Sequence, residues 1–265
     1  MSSSGDQPSD RRRMLVVVAH PDDETFGTGS VIAHEAARGV DVVVCCATRG
    51  EAGEAPDWLA DGEDLGAVRE RELHDAAAVL GATRVQLLDF GDSGMTGDAA
   101  QGTLSGAPFD DVVRAVRGVL EAVDPQVVLT LDPVNGDGHR DHARIGAATI
   151  EACRDRPATL VYVWTVLRSL LTQWFEELAR LRPDSGHLEL DLDREGVGRV
   201  IGDVTTVLDT TDVVDVRTRA GAVHRSQQPP FDGMPAPLLE AFLTRDHLVR
   251  VQPPWHGGAV ERSLP

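Results

Sequence analysis

The segment His20-Pro21-Asp22-Asp23-Glu24 places an imidazole and three carboxylates directly after an apolar run, Met14–Ala19. A second polar cluster, Gly138-His139-Arg140-Asp141-His142, follows another apolar run more than a hundred residues later. Imidazole nitrogen and carboxylate oxygen are the donors a catalytic zinc site uses when it keeps one position open for water. Taken singly, each residue has a plainer role. Acidic side chains after a strand commonly cap a helix and offset its dipole, and Asp141 could cap the helix that follows it. A solitary histidine is more often structural than a ligand, and His34, His74, His187, His247 and His256 are read that way. The two clusters together point to a metal site.

Whether they meet depends on the elements that carry them. Continuous β-branched runs alternate with helical patterns, which predicts a parallel sheet covered on both faces. Strands are expected at Met14–Ala19, Val40–Ala47, Arg84–Asp89, Gln126–Leu131 and Thr159–Trp164, with helices near Thr28–Arg38, Leu65–Leu80, Phe109–Val123 and Asp141–Cys153. Gly39 and Gly81 stand where helix C-caps belong, and Asp124-Pro125 closes the third helix. The fold class is therefore α/β, a Rossmann-like doubly wound sheet with a small C-terminal α+β cap. In strand order 3-2-1-4-5 the first and fourth strands are neighbours, and ligands bind beyond their carboxyl ends. That order brings the two clusters to one place. The long loops Arg49–Asp64 and Gly91–Pro108 are rich in Gly, Asp and Pro and read as walls of the site. Further on, a helix near Ser169–Arg180, a mixed β segment over His187–Asp209, and helices near Asp212–Ser226 and Pro235–Asp246 are expected to cap the sheet. Residues 1–13 are expected to be a disordered tail and residues 14–265 one domain, with its core in 14–165.

Composition narrows the chemistry. The net charge of −18 disfavours nucleic acid and anionic membrane partners. All 25 basic residues are arginine. Without lysine, Schiff-base chemistry, a pyridoxal-phosphate linkage and a Walker A loop are excluded. Cys45, Cys46 and Cys153 show neither a disulfide framework nor metal-ligand spacing, so a cytoplasmic setting is expected. The six apolar residues after Arg11-Arg12-Arg13 are too few for a signal-peptide core or a membrane span. Gly27-Thr28-Gly29 suggests a dinucleotide loop, but Ile32 occupies the third glycine position and no acid closes the second strand.

The His-Pro-Asp-Asp-Glu run with the later Gly-His-x-Asp-His resembles the LmbE-like, or PIG-L, de-N-acetylases, zinc hydrolases that remove acyl groups from amino sugars. Thr48–Gly53, the charged residues of Arg69–Leu73, Asp92-Ser93-Gly94-Met95 and His224-Arg225-Ser226-Gln227 also match that family's pattern, from about Met14 to Val251. The resemblance implies zinc held by His20, Asp23 and His142, although Fe²⁺ or Co²⁺ suits the same donors. It implies Asp22 as general base and a positively charged His139 that stabilises the oxyanion and assists the leaving amine. It further implies that Asp141 orients His139, and that Arg69 and Asp92 hold sugar hydroxyls. The partner would be a small amino-sugar substrate, with a homo-oligomer compatible. Two positions depart from the family: Asp137 stands in place of a tyrosine, and Arg140 in place of a proline. Both are expected at the rim, altering substrate preference or turnover. Arg217 replaces the usual lysine upstream of His224. The Asp137 exchange tilts the expectation from a mycothiol-type deacetylase or conjugate amidase towards a tailoring deacetylase. A non-catalytic sugar-binding protein of the same fold is the reading from another class.

Overall fold

The computed structural model describes residues 11–60, 62–134, 136–183 and 197–265. Five parallel strands form the core: β1 (Arg13–Val18), β2 (Asp41–Cys46), β3 (Arg84–Leu87), β4 (Val127–Leu131) and β5 (Leu160–Thr165). Helices α1 (Gly29–Ala37), α2 (Leu65–Leu80), α3 (Phe109–Val123) and α4 (Arg140–Cys153) connect them. Beyond β5 come α5 (Arg168–Leu181), β6 (Thr206–Asp209), α6 (Val214–Gly221), α7 (Ala236–Leu243) and β7 (Arg245–Gln252). The seven-stranded sheet runs β3-β2-β1-β4-β5-β7-β6, so the expected order is present and is extended by two antiparallel strands.

Burial explains the apolar runs. Leu15, Val16, Val17 and Val18 are wholly buried, as are Val128 and Leu129 of β4. A strand covered on both faces has no reason to alternate with polar residues. Each such side chain contributes about 1.5–3 kcal/mol relative to its exposed state. The helix boundaries follow from local chemistry. Asp64 caps α2 by accepting from the Ala67 amide at 3.3 Å, and Gly81 ends it in the left-handed conformation, φ 88°.

Four expectations need adjustment. Arg13 is the first residue of β1 rather than part of the tail, because its amide donates to Gln126 Oε1 and its guanidinium to the carbonyls of Val123 and Asp124. The last helix stops at Leu243, and 245–252 form β7 between β5 and β6. Asp212–Ser226 contains a shorter helix, α6, followed by turns. The β segment placed over 187–209 contains only β6 among its described residues, and His187 lies outside them.

The approach of α4 to β4 is set by one small residue. A Cβ on Gly146 would lie 2.2 Å from the Leu131 carbonyl oxygen at the end of β4. Gly146→Ala must push α4, and the histidines at its start, away from the sheet. The gain of up to about 1 kcal/mol in helix propensity does not offset that clash, and a net loss of about 1–3 kcal/mol is expected. Urea unfolding checks this; an unchanged midpoint contradicts the tight packing.

Candidate metal and catalytic site

The loops after β1 and β4 meet, as the strand order requires. The imidazole centroids of His20 and His142 lie 5.4 Å apart, and His139 sits 4.7 Å from the former and 4.6 Å from the latter. Asp23 joins the two segments. Its Oδ1 lies 3.2 Å from His142 Nε2, while Oδ2 lies 3.6 Å from His20 Nδ1 and accepts the amides of Ala19 and His20 at 3.1 and 2.9 Å.

Each histidine is distinguished by what its other nitrogen meets. His20 Nε2 faces the carboxylates of Asp141 and Asp92 at 3.4 and 3.5 Å. His142 Nδ1 faces Asp137, 2.9 Å from Oδ2. A carboxylate only accepts, so both of those nitrogens carry hydrogen. The opposite nitrogens, His20 Nδ1 and His142 Nε2, both face the Asp23 carboxylate. His139 is different: its Nδ1 accepts the Asp141 amide N–H at 3.1 Å, so the neutral ring carries its hydrogen on Nε2. It is a donor.

Burial opposes the charged form of both ligand-like imidazoles, but neighbouring carboxylates outweigh it. His20 rises well above its ordinary value through Asp141, Asp23 and Asp92. Asp137 and Asp23 lift His142 to about 10. Asp23 is held well below the usual range: burial opposes this, and His142 and His20 outweigh it. The pocket favours positive charge, and two overlapping groups, His20 with His139 and His142 and His20 with Asp92 and Asp141, each have ligand atoms within 4.8 Å of one another. Residues present here fit a divalent metal ion. His139, by contrast, is pushed down to about 4 by burial and by the adjacent His142 and His20. These surroundings favour the neutral form of His139, with its hydrogen on Nε2, where a positively charged ring was expected.

Asp22 is strained, with φ 115°, a conformation that costs a non-glycine residue of order 1–3 kcal/mol. Its surroundings hold it there. The Asp22 amide donates to Glu24 Oε2 at 2.9 Å, and its carbonyl accepts from the amides of Thr25 and Phe26 at 2.9 and 2.7 Å. Burial raises its carboxyl to about 6, with Arg69 opposing and Asp23 reinforcing the shift. A value that close to neutrality suits a general base.

The remaining expectations are altered by geometry. The Asp141 side chain does not orient His139. It accepts from Ser105 Oγ and the Ser93 amide and faces His20, while its main-chain N–H holds His139. Arg69 is buried, and its guanidinium donates to Asp22 Oδ2 at 3.0 Å, the Pro21 carbonyl at 3.0 Å and the Gly50 carbonyl at 2.6 Å. Asp92 closes a turn onto the Gly94 amide at 2.8 Å, accepts the Ala52 amide and faces His20. Both are turned inward, so contact with sugar hydroxyls draws no support from this arrangement. Arg140 is equally committed: it donates to the carbonyls of Ser93, Gly94, Thr96 and Gly97, strapping the 91–108 loop to α4. Asp137 is not a free rim carboxylate but the partner of His142. An Asp two residues before an amide it can accept is a readable turn signal, and the His139 amide donates to Asp137 Oδ1 at 3.0 Å.

A brace from the C-terminal third completes the site. Arg217 donates to the carbonyls of Thr25, Phe26 and Gly27, which form a single π turn over Asp23–Gly27. His224 Nε2 lies 2.6 Å from Glu24 Oε1, and both side chains are fully buried. Sequence alone showed these residues as pattern matches without showing what they hold.

Comparison with known proteins bears on this arrangement. The model of the GlcNAc-PI de-N-acetylase family, PIG-L, matches residues 15–153. A Rhodococcus jostii (strain RHA1) protein named 1D-myo-inositol 2-acetamido-2-deoxy-α-D-glucopyranoside deacetylase is 36% identical over 282 residues, covering 95% of this chain and 94% of that protein. The chain belongs to the PIG-L family. Solved structures support the fold of this PIG-L member: N,N′-diacetylchitobiose deacetylase from Pyrococcus horikoshii (TM-score 0.60, 21% identity, 92% of this chain and 85% of that one) and GalB, a 4-carboxy-2-hydroxymuconate hydratase from Pseudomonas putida KT2440 (TM-score 0.59, 21% identity, 94% and 99%). Among the described residues no helix is long and apolar enough to cross a membrane.

The brace makes a pH-dependent prediction. Burial opposes a charged His224, but Glu24 outweighs it and raises the imidazole above its ordinary 6.5. Stability from the charged pair is then full below about pH 6.5 and fades as pH climbs through the folded-state value. His224→Ala is expected to cost about 3–5 kcal/mol near pH 6 and less near pH 9. Urea unfolding at both values checks it; equal losses would count against the ion pair.

Proposed function

We propose that this PIG-L member is a metal-dependent amidohydrolase that removes the acetyl group from a 2-acetamido-2-deoxy-glucoside. The observation that carries the proposal is the convergence of His20, Asp23 and His142, with the neighbouring Asp22 carboxyl held in place by Arg69. In this reading His20 Nδ1, Asp23 and His142 Nε2 hold zinc. A bound zinc ion polarises a carbonyl and lowers the pKa of water to roughly 7.

The chain's own residues carry the proton traffic. Asp22 accepts the proton of the water whose oxygen attacks the amide carbon. His139 Nε2–H donates a hydrogen bond to the carbonyl oxygen as negative charge develops there. The C–N bond then breaks, and the proton held by Asp22 passes to the departing nitrogen, giving acetate and an amine. No cationic histidine is needed.

The relatives' named substrate, an acetamido-glucoside of inositol, is the first compound to test. It takes precedence over the tailoring deacetylase that the Asp137 exchange suggested. The three cysteines are free and buried, which supports a cytoplasmic setting. A sugar-binding protein without turnover would have little use for a strained carboxyl of raised pKa beside the ligand set.

Two substitutions and one removal separate these readings. Asp22→Asn is expected to retain near-equimolar zinc, measured by elemental analysis, while acetate release falls by about 10²–10⁴-fold. His142→Ala is expected to lose the metal. Chelation should abolish acetate release from the wild-type enzyme and added zinc restore it. Turnover of Asp22→Asn at the wild-type rate would remove Asp22 as the base; zinc without turnover in the wild type would favour the binding protein.

A further inference from the structure

We infer that Asp137 is a positioning residue that fixes His142 as the Nδ1–H tautomer and so presents Nε2 to the metal. The inference rests on the metal reading of the site.

Both oxygens of Asp137 reach His142 Nδ1, Oδ2 at 2.9 Å and Oδ1 at 3.1 Å. Oδ1 also accepts the His139 amide at 3.0 Å, which locks the carboxylate to the start of α4. Gly138 makes this closure possible by adopting φ 91° between the two residues. With an acceptor-only group on Nδ1, a ring hydrogen stays there, and the proton that a cation displaces on binding is the one on Nε2. On the far side, Nε2 already points at Asp23 Oδ1, 3.2 Å away. A carboxylate behind a ligating imidazole fixes its orientation and strengthens it as a donor, and loss of such a partner costs about 10–100-fold in metal affinity.

The assignment has a second consequence. A carboxylate spent on an imidazole and an amide has no hydrogen to give, so Asp137 cannot do what a phenol at this position could. His139 Nε2 is the side-chain donor that the neighbouring loop residue offers in its place.

The test measures zinc affinity by competition with a chromogenic chelator for wild type, Asp137→Ala and Asp137→Asn. Affinity is expected to fall about 10–100-fold in Asp137→Ala, and by an intermediate factor in Asp137→Asn, which keeps an acceptor without the charge. The zinc-loaded wild type should show His142 as Nδ1–H in long-range ¹H–¹⁵N spectra. If the alanine variant fails to fold, the isosteric asparagine variant carries the comparison alone. Wild-type zinc affinity in a folded variant, or an Nε2–H signal for His142 in the loaded wild type, would overturn the assignment while leaving the metal site standing. A wild-type protein that binds no zinc would remove the metal reading and this inference with it, a result distinct from the other two.

Discussion

Parallel pairing of β1 with β4 is the constraint on which the site depends. Met14 lies opposite Val127 and Val17 opposite Thr130, so the two strands reach their carboxyl ends side by side. The loops leaving those ends are then held at neighbouring points, whatever the sequence distance between them. Asp23 exploits this. One of its oxygens is fixed by the amides of Ala19 and His20, and the other is turned across to His142. Had β4 been placed one strand away, no carboxylate of that length could span the gap, since adjacent strands are already about 4.8 Å apart.

A turn that aims an aspartate this way is not stable by itself. Asp22 has a backbone conformation that side-chain-bearing residues avoid, and the π turn after it leaves carbonyls that no helix satisfies. Distant parts of the chain supply what is missing. Arg217 takes up the turn's carbonyls, Glu24 holds the Asp22 amide, and His224 holds Glu24 in turn. Arg69 completes the enclosure from α2, fixing the Asp22 carboxylate and the Pro21 carbonyl. The C-terminal third thus does more than cover a sheet: it over-determines the geometry of a strained turn.

Much of this was legible in the residues. The uninterrupted apolar runs at Met14–Ala19 and Gln126–Leu131 indicated strands buried on both faces, and β1 and β4 are such strands. Alternation with helices fixed the winding, and the winding fixed which loops meet. β7 was not legible: its Arg245 and Asp246 were read as the end of the helix from Pro235, and pairing with β5 and β6 makes them a strand. Side-chain direction was also beyond reach. Arg69, Asp92 and Arg140 are polar residues near a site, which is compatible with touching substrate. Here Arg69 and Arg140 satisfy backbone carbonyls, and Asp92 accepts backbone amides. Sequence names a donor but not its acceptor.

The three clustered histidines show how far function is set by such hidden partners. Their rings lie within stacking distance and share one residue type, so identity alone cannot divide their labour. The division comes from the group behind each ring. His20 has Asp141 and Asp92, and His142 has Asp137; each of these acceptors fixes a hydrogen on the nitrogen it faces. His139 has a main-chain N–H, a donor, so its neutral ring carries the hydrogen on the opposite nitrogen. One difference, a carboxylate or an amide behind the ring, thus decides which nitrogen holds the hydrogen. The sheet delivers side chains to a common edge, and the polarity of their second contacts decides what they can do.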